Sequence, residues 1–211
     1  MTKTRYIGFI AALSIGLMGV AQAQDSATVD ALATLQQATA PLALAGETSL
    51  SFGSVNIPNG TEVDHACGYT IAVSGETPQT NLTEYNQDGF TIDTSVPTPS
   101  GCDWGSSGTP NVSYGTFAIS CNPSSAVDFT ATWSNGGATE VWFQRGTSTS
   151  MRAFSSGTYT ALATSSNGSM TATCPNNGIF DVAVGGQVRV GANATAGSDV
   201  TVGTVTLEAT Y

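Results

Sequence analysis

Apolar and polar residues alternate along most of the chain, in short runs separated by Gly, Pro, Asn and Ser. In residues 127–133, Val, Phe, Ala and Trp occupy every second position, and residues 204–211 end the chain in the same pattern. Successive side chains of a β-strand point to opposite faces of its sheet, so a period of two predicts strands with one buried face. Many short strands with frequent turns predict an all-β fold, an antiparallel β-sandwich or barrel.

Other runs with this pattern predict further strands at residues 49–57, 69–74, 114–121, 140–144, 159–164, 169–174 and 180–184. A second run begins at Val188, and the pair Gly185-Gly186 between the two runs predicts a β-hairpin. Residues 80–112 are rich in Pro, Gly, Ser, Thr and Asp, which predicts a long loop or an insertion. Without a repeat or a clear linker, we expect one domain over residues 38–211.

Residues 1–23 have the order of a secretory signal peptide. Lys3 and Arg5 precede an uncharged apolar run, residues 6–20, and the small-x-small site Ala21-Gln22-Ala23 follows it. The apolar run is shorter than the roughly 20 residues that cross a bilayer. We therefore expect cleavage after Ala23, export through the periplasm, and no membrane insertion of the mature chain.

The mature chain is acidic and carries few charges. It has no lysine, and three arginines, Arg145, Arg152 and Arg189, are opposed by fifteen Asp and Glu. A negative field repels phosphate backbones and anionic lipid, which argues against nucleic-acid binding. Only 9% of the residues are charged, and such a Ser/Thr-rich surface suits contacts with other copies of the same chain.

Four cysteines, Cys67, Cys102, Cys121 and Cys174, lie in the mature part. An even number in an exported chain predicts two disulfides. The sequence leaves three pairings open, and we favour Cys67 with Cys102 and Cys121 with Cys174, because each bond then closes a loop around one half of the chain. No spacing is C-x-x-C and His65 is the single histidine, so we expect no metal ion and no other cofactor.

The residue inventory offers no catalytic constellation, so we expect no enzymatic activity. A Ser-His-Asp triad would require His65, and no serine lies in a G-x-S-x-G context. Glu62 and Asp64 lie close to this histidine and offer ligands for a cation. The neighbouring Asn59-Gly60 predicts a turn, however, and a solvated loop is the better interpretation of that segment.

Residues 24–37 form an N-terminal extension with an alternation of its own. Val29, Ala31, Ala33 and Leu35 occupy every second position, with polar or small residues between most of them. Leu32 interrupts the pattern, and a weak helical stripe runs through the same residues. Three roles remain open for this extension: a strand donated to another molecule, the first strand of its own domain, or a frayed terminus.

Three segments of the chain resemble one family of exported bacterial proteins. They are VGGQVRVGANATAG with VGTVTLEATY at residues 184–197 and 202–211, APLALAGETSLSFGSV at residues 40–55, and GTFAISCNP at residues 115–123. The family is the domain of unknown function 4402 family, and the resemblance covers residues 38–211 in outline, with departures through residues 60–112 and 140–170. The ending is similar to that of chaperone–usher fimbrial subunits and of spore-coat-U-like pilins.

This resemblance implies an immunoglobulin-like β-sandwich that lacks one strand, in a structural subunit of an extracellular fimbria-like fibre for adhesion or biofilm formation. The missing strand would come from the extension of another copy by β-augmentation, through its four alternating residues. A periplasmic chaperone would hold the C-terminal strand before transfer to an outer-membrane usher, and the strand would later form an edge of the groove. The residues of that edge are Val205, Leu207, Ala209 and Tyr211.

A second hypothesis is a monomeric secreted or periplasmic module that binds carbohydrate. Its binding loop would be residues 80–112, which contain Trp104. Trp133, Trp142 and Phe143 also offer rings on which a sugar can stack. Aromatic residues in alternating strands more commonly belong to the core, which is the interpretation we favour for these three.

Overall fold

The computed structural model describes residues 41–59, 65–85, 101–105, 111–146 and 148–211. These residues lie in β-strands or in the loops and turns between them, so the predicted all-β fold is confirmed. The chain divides between Gln37 and Ala38, and the described residues all belong to the unit Ala38–Tyr211. The predicted signal peptide and the predicted extension lie outside the described residues.

The described residues contain twelve strands. They are β1 (Ala43–Thr48), β2 (Ala66–Ala72), β3 (Gln79–Tyr85), β4 (Gly115–Ser120), β5 (Ala126–Asn135), β6 (Val141–Gln144), β7 (Met151–Phe154), β8 (Ala161–Ser165), β9 (Ser169–Thr173), β10 (Ile179–Val184), β11 (Gly186–Gly191) and β12 (Gly203–Thr210). The longest, β5, alternates buried and exposed residues as its sequence pattern predicts.

The strands form three antiparallel sheets. The first has the order β1-β4-β10-β7-β8, the second has the order β12-β5-β9, and the third has the order β3-β2-β11-β6. The first two sheets pack face to face around a shared core, which makes the β-sandwich. The third continues from the first, because β10 leads into β11 across the single residue Gly185.

The core of the sandwich is built from inward residues of both sheets. Phe180 of β10 and Phe129 of β5 meet edge to face, with ring centroids 5.7 Å apart. Both side chains are almost fully buried, and such ring contacts stabilise a core beyond the area that they bury. Other members of this core are Ile119, Val127, Met151, Met170, Val182 and Leu207.

A second core lies between one face of the four-stranded sheet and the segment 50–57. Tyr69 of β2 is fully buried there, and its hydroxyl donates a hydrogen bond to the backbone oxygen of Asn56 at 2.6 Å. Phe52 of the segment meets Phe143 of β6 edge to face, with centroids 6.1 Å apart. The segment therefore covers this sheet as a loop, without pairing with it as a strand.

The predicted hairpin at Gly185-Gly186 is wrong. β10 pairs with β4 and β7, whereas β11 pairs with β2 and β6, so the chain passes from one sheet to another instead of turning back. A Cβ at position 185 would overlap the backbone oxygen of Ile71, so the chain can pass this point only with glycine. The glycine pair thus lies where two backbones approach closely. Glycine between alternating runs can indicate such an approach as well as a turn.

Two further predictions need correction, and one strand has no counterpart among the predicted ones. Residues 49–57 form only isolated bridges, Ser51 with Ser113 and Val55 with Trp104, and the strand of this region is β1, which ends before them. Gly53 has φ of +60°, which ends extended pairing between the two bridges. The predicted loop 80–112 begins inside β3. The sequence pattern does not predict β7, because its four residues are too few to show a period.

Two disulfides join Cys67 to Cys102 and Cys121 to Cys174, which is the pairing that we favoured from the sequence. The first fastens residues 101–105 to β2. The second joins the end of β4 to the end of β9, and so links the two layers of the sandwich. The partners are 35 and 53 positions apart in sequence, so each bond stabilises the fold by about 4 kcal/mol through loop closure. Two disulfides fit an exported protein.

Candidate functional site

One side of the sandwich is open between β1 and β12. β1 is the edge of the five-stranded sheet and pairs only with β4, and β12 is the edge of the three-stranded sheet and pairs only with β5. At the opposite side, β8 and β9 contact each other and are joined by a short turn. Within the described residues, the open side therefore presents two strand edges whose backbone groups have no strand partner.

Among the residues that the structure describes, none covers the inward face of β1 completely. Leu44 lies directly opposite Ile119 in the β1–β4 register, so both side chains point toward the sandwich interior. Ile119 is 1% exposed, whereas Leu44 is 38% exposed. A Cβ at Gly46, which lies two positions further along the same face, would meet no atom within 4 Å. An apolar side chain that points inward yet remains exposed, next to an open glycine position, indicates unfilled space along this strand.

The inward face of β12 is covered at its centre and less at its ends. Leu207 is 5% exposed and belongs to the core, while Val205 and Ala209 on either side are only half-buried. Phe117 of β4 and Leu42, just before β1, are also half-buried against the same core. These side chains line a groove that runs between the two strand edges, which we call the open groove.

A cavity of about 280 Å³ lies at one end of the open groove, where β1 ends and β12 begins. An apolar cavity of about 150 Å³ is large enough to bind benzene, so this one has room for a large aliphatic or aromatic side chain. Its apolar walls are Leu50, Phe52, Phe117, Phe143, Val184, Val202 and Val205, and Thr48, Ser49 and Thr204 lie at its rim.

Glycine at two positions keeps the walls of the cavity close together. A Cβ at Gly203 would overlap the ring of Phe143 and the backbone oxygen of Ser134. A Cβ at Gly115 would lie 2.9 Å from a methyl carbon of Val184, inside normal contact distance. The shape of the cavity therefore depends on two residues without side chains. The role of these glycines can be recognised in the sequence only after the strands are known.

The edges of the open groove carry negative charge on their outer side. Glu47 of β1 and Glu208 of β12 are both exposed. Charged residues on an edge strand oppose indiscriminate pairing with other edges, which is how β-proteins avoid aggregation. A strand that pairs with these charged edges therefore needs apolar contacts inside the groove to offset the unfavourable charge.

The residues predicted for the groove edge divide into two groups. Val205, Leu207 and Ala209 alternate along β12 and point into the sandwich, opposite Trp133, Ala131 and Phe129 of β5. Tyr211 lies beyond the end of β12 and is 55% exposed, and its hydroxyl accepts a hydrogen bond from the backbone N–H of Asn122 at 2.8 Å. The predicted donor residues, Val29, Ala31, Ala33 and Leu35, lie outside the described residues.

Three of the four aromatic residues of the carbohydrate hypothesis are engaged in packing. Trp104 is half-buried, and its ring meets Tyr69 edge to face with centroids 5.1 Å apart. Burial raises the pKa of Tyr69 to about 12, as expected for a phenol removed from water. Trp133 donates from its indole nitrogen to the backbone oxygen of Gly185 at 2.8 Å, and Phe143 is buried. Trp142 remains half-buried on the opposite face of β6.

The described residues contain no group of three or more His, Cys, Asp and Glu that could hold a metal ion. His65 is buried at the start of β2, and Glu62 and Asp64 lie outside the described residues. In the described part of the chain, no helix has the length and the apolar character needed to cross a membrane.

Comparisons with protein-family models, with curated proteins and with solved structures find no match to this chain. Membership of the domain of unknown function 4402 family therefore stays a prediction, and the open groove is the feature of the structure that bears on function.

Proposed function

We propose that this chain is a structural subunit of an extracellular fibre, in which the open groove of one copy accepts the N-terminal extension of the next. The observation that carries the proposal is the open groove: two strand edges face a row of incompletely covered apolar residues. A strand inserted there would pair with backbone groups on both sides and bury these residues, which is strand addition at a sheet edge.

The extension matches the open groove in length. β12 has eight residues, which at roughly 3.3 Å per residue extend over about 26 Å. The alternating segment 27–35 has nine residues and would extend over about 30 Å. One strand of this segment therefore spans the whole groove.

The extension also matches the groove in side-chain size. Ala31 and Ala33 at its centre are small, and the centre of the groove is already filled by Leu207, which is buried. Val29 and Leu35 at its ends are larger, and the cavity of about 280 Å³ lies at one end of the groove. One of these two end residues would occupy the cavity, and which one depends on the direction of the inserted strand.

The proposal gives the subunit a set of partners and a location. Its main partners are other copies of itself, arranged head to tail, because each copy supplies one extension and one groove. A periplasmic chaperone that holds β12 and an outer-membrane usher are the assembly partners that fit a strand edge left open until the next subunit arrives. The assembled fibre would lie at the cell surface and act in adhesion or biofilm formation.

The test introduces charge on either face of the extension in the full mature chain. Ala31→Asp and Ala33→Asp place a carboxylate on the face that enters the groove, and Thr28→Asp and Thr34→Asp place one on the opposite face as matched controls. Burying an unpaired carboxylate is costly, so the alanine variants should remain monomeric while the threonine variants polymerise. Electron microscopy and size-exclusion chromatography read out the difference.

The domain's own first strand is the competing role for the extension. If the extension fills the groove of its own copy, the parent protein should be a stable monomer, and the alanine variants should lose stability without any change in size. That result would reject the fibre and favour a monomeric module.

A further inference from the structure

One face of the four-stranded sheet holds a buried polar cluster, on the side away from the second core. Thr70 of β2, Tyr85 of β3 and Gln187 of β11 are only 4%, 6% and 2% exposed. Gln144 of β6 and Arg189 of β11 complete the cluster. It lies apart from the open groove, so its chemistry is independent of the proposed function.

The carboxamide of Gln187 lies at the centre of this cluster. Its oxygen accepts three hydrogen bonds: from the amide of Gln144 at 2.8 Å, from Nε of Arg189 at 3.2 Å and from the hydroxyl of Tyr85 at 3.3 Å. Its nitrogen donates to the hydroxyl oxygen of Thr70 at 2.8 Å. An arginine can only donate, so the network fixes which end of the amide is the oxygen.

Three donors on one amide oxygen exceed its two lone pairs, and one of the donors is a cation. The guanidinium is itself held in place, because its central carbon lies 4.3 Å from the centroid of the Tyr85 ring. Fixed donors around a carbonyl oxygen draw electrons from the carbonyl carbon and stabilise negative charge on the oxygen, as in an oxyanion hole. The cluster therefore favours the addition of a nucleophile at Cδ of Gln187.

The hydroxyl of Thr70 lies next to the amide nitrogen that this carbon carries. Thr70 and Gln187 lie directly opposite each other in the antiparallel register of β2 and β11. The hydroxyl oxygen is 2.8 Å from the amide nitrogen, which is itself one bond, about 1.3 Å, from Cδ. Holding two groups in contact in a buried site replaces an encounter by a reaction within one molecule.

We propose that Thr70 and Gln187 form an intramolecular ester cross-link. The Oγ1 of Thr70 adds to Cδ of Gln187, and the three donors hold the oxygen of the tetrahedral intermediate. The Cδ–Nε2 bond then breaks, and the proton of the Thr70 hydroxyl passes to the departing nitrogen, which leaves as ammonia. The products are one ester and one ammonia molecule, and nothing is oxidised or reduced.

The cross-link would join the two central strands of the four-stranded sheet. The two residues are 117 positions apart in sequence, so the bond closes a far longer loop than either disulfide. Unlike a disulfide, an ester resists reducing agents. It would keep β2 and β11 joined when the protein is unfolded by reductant and denaturant together.

Peptide mapping of the full mature protein tests this proposal. After reduction and digestion, mass spectrometry should find the peptide of Thr70 joined to that of Gln187, at their summed mass less one ammonia molecule, and hydroxylamine should separate them. The linked peptide is the decisive readout because an N-terminal glutamine also loses ammonia on cyclisation. Recovery of both peptides separate and unmodified from folded protein would overturn the proposal, as would a glutamate at position 187.

Variants separate the reaction from the fold. Thr70→Ser keeps a hydroxyl and should retain the linked peptide, whereas Thr70→Val keeps the shape without the nucleophile and should lose it completely. Thr80→Val, on an exposed position of β3, is the matched control and should leave the cross-link unchanged. If Thr70→Val does not fold, Arg189→Gln gives the second measure, because loss of the cationic donor should leave less cross-linked product at a given time after synthesis.

Discussion

Gly203→Ala tests how closely β12 packs at the mouth of the cavity. The added Cβ would overlap the ring of Phe143 and the backbone oxygen of Ser134. The ring can rotate, but the backbone oxygen belongs to β5, whose Ser134 is paired with Thr204 of β12. The first residues of β12 must therefore move away from β5, and overpacking of this kind costs about 1–3 kcal/mol.

Urea unfolding of the parent and the variant measures this cost directly. Gly46→Ala is the matched control, because a Cβ there meets no atom within 4 Å and its φ is not in the left-handed region. The control should change the free energy of unfolding by less than about 0.5 kcal/mol. At about 2–4 °C per kcal/mol, Gly203→Ala should also lower Tm visibly. A Gly203→Ala protein as stable as the control would refute the proposed packing of β12.

Three further predictions concern stability. Replacing both Cys121 and Cys174 by Ser should lower the free energy of unfolding by about 4 kcal/mol, as measured in urea. Leu207→Ala should cost about 2–5 kcal/mol by opening a cavity in the core, while Thr206→Ala on the exposed face should change stability by less than about 0.5 kcal/mol. Burial raises the pKa of Tyr69 from 10.0 to about 12, so the folded state favours the neutral phenol. The contribution of the neutral Tyr69 phenol to the free energy of unfolding is complete below pH 10 and is lost as pH rises from 10 to 12. Tyr69→Phe removes the titrating group, so urea unfolding at increasing pH should show a smaller loss of stability over this range.

Local patterns predicted the strands whose faces differ most in polarity. β5 and β12 follow directly from alternation, since one face of each is buried and the other meets water. β1 shows no such contrast because all of its residues are exposed, and its inward face has no cover among the described residues. A strand alternates apolar and polar residues only where one of its faces is covered. β1 is an edge strand beside the open groove, so its sequence lacks this contrast, and the pattern places the strand at residues 49–57 instead.

Pairing between distant residues is the part that sequence did not supply. Alternating runs on both sides of Gly185 are compatible with a hairpin and also with a chain that passes from one sheet to another. Only the pairing partners of β10 and β11 distinguish these two arrangements. The cluster of Thr70 and Gln187 was missed for the same reason, because the two residues meet only through the register of β2 and β11. The disulfides were easier to predict, since four cysteines leave only three pairings, and the favoured one places one loop in each half of the chain.

The central claim is that the extension of one copy lies in the open groove of another. In the most direct measurement, a photoreactive amino acid replaces Ala31, and fibres are assembled from an equal mixture of heavy-isotope-labelled and unlabelled subunits. After illumination, mass spectrometry identifies the peptide of β12 joined to position 31. We expect about half of these products to combine a heavy with a light peptide, as random head-to-tail assembly requires. Products that always join two heavy peptides or two light peptides would show that each extension fills its own groove, and would rule out strand donation between copies.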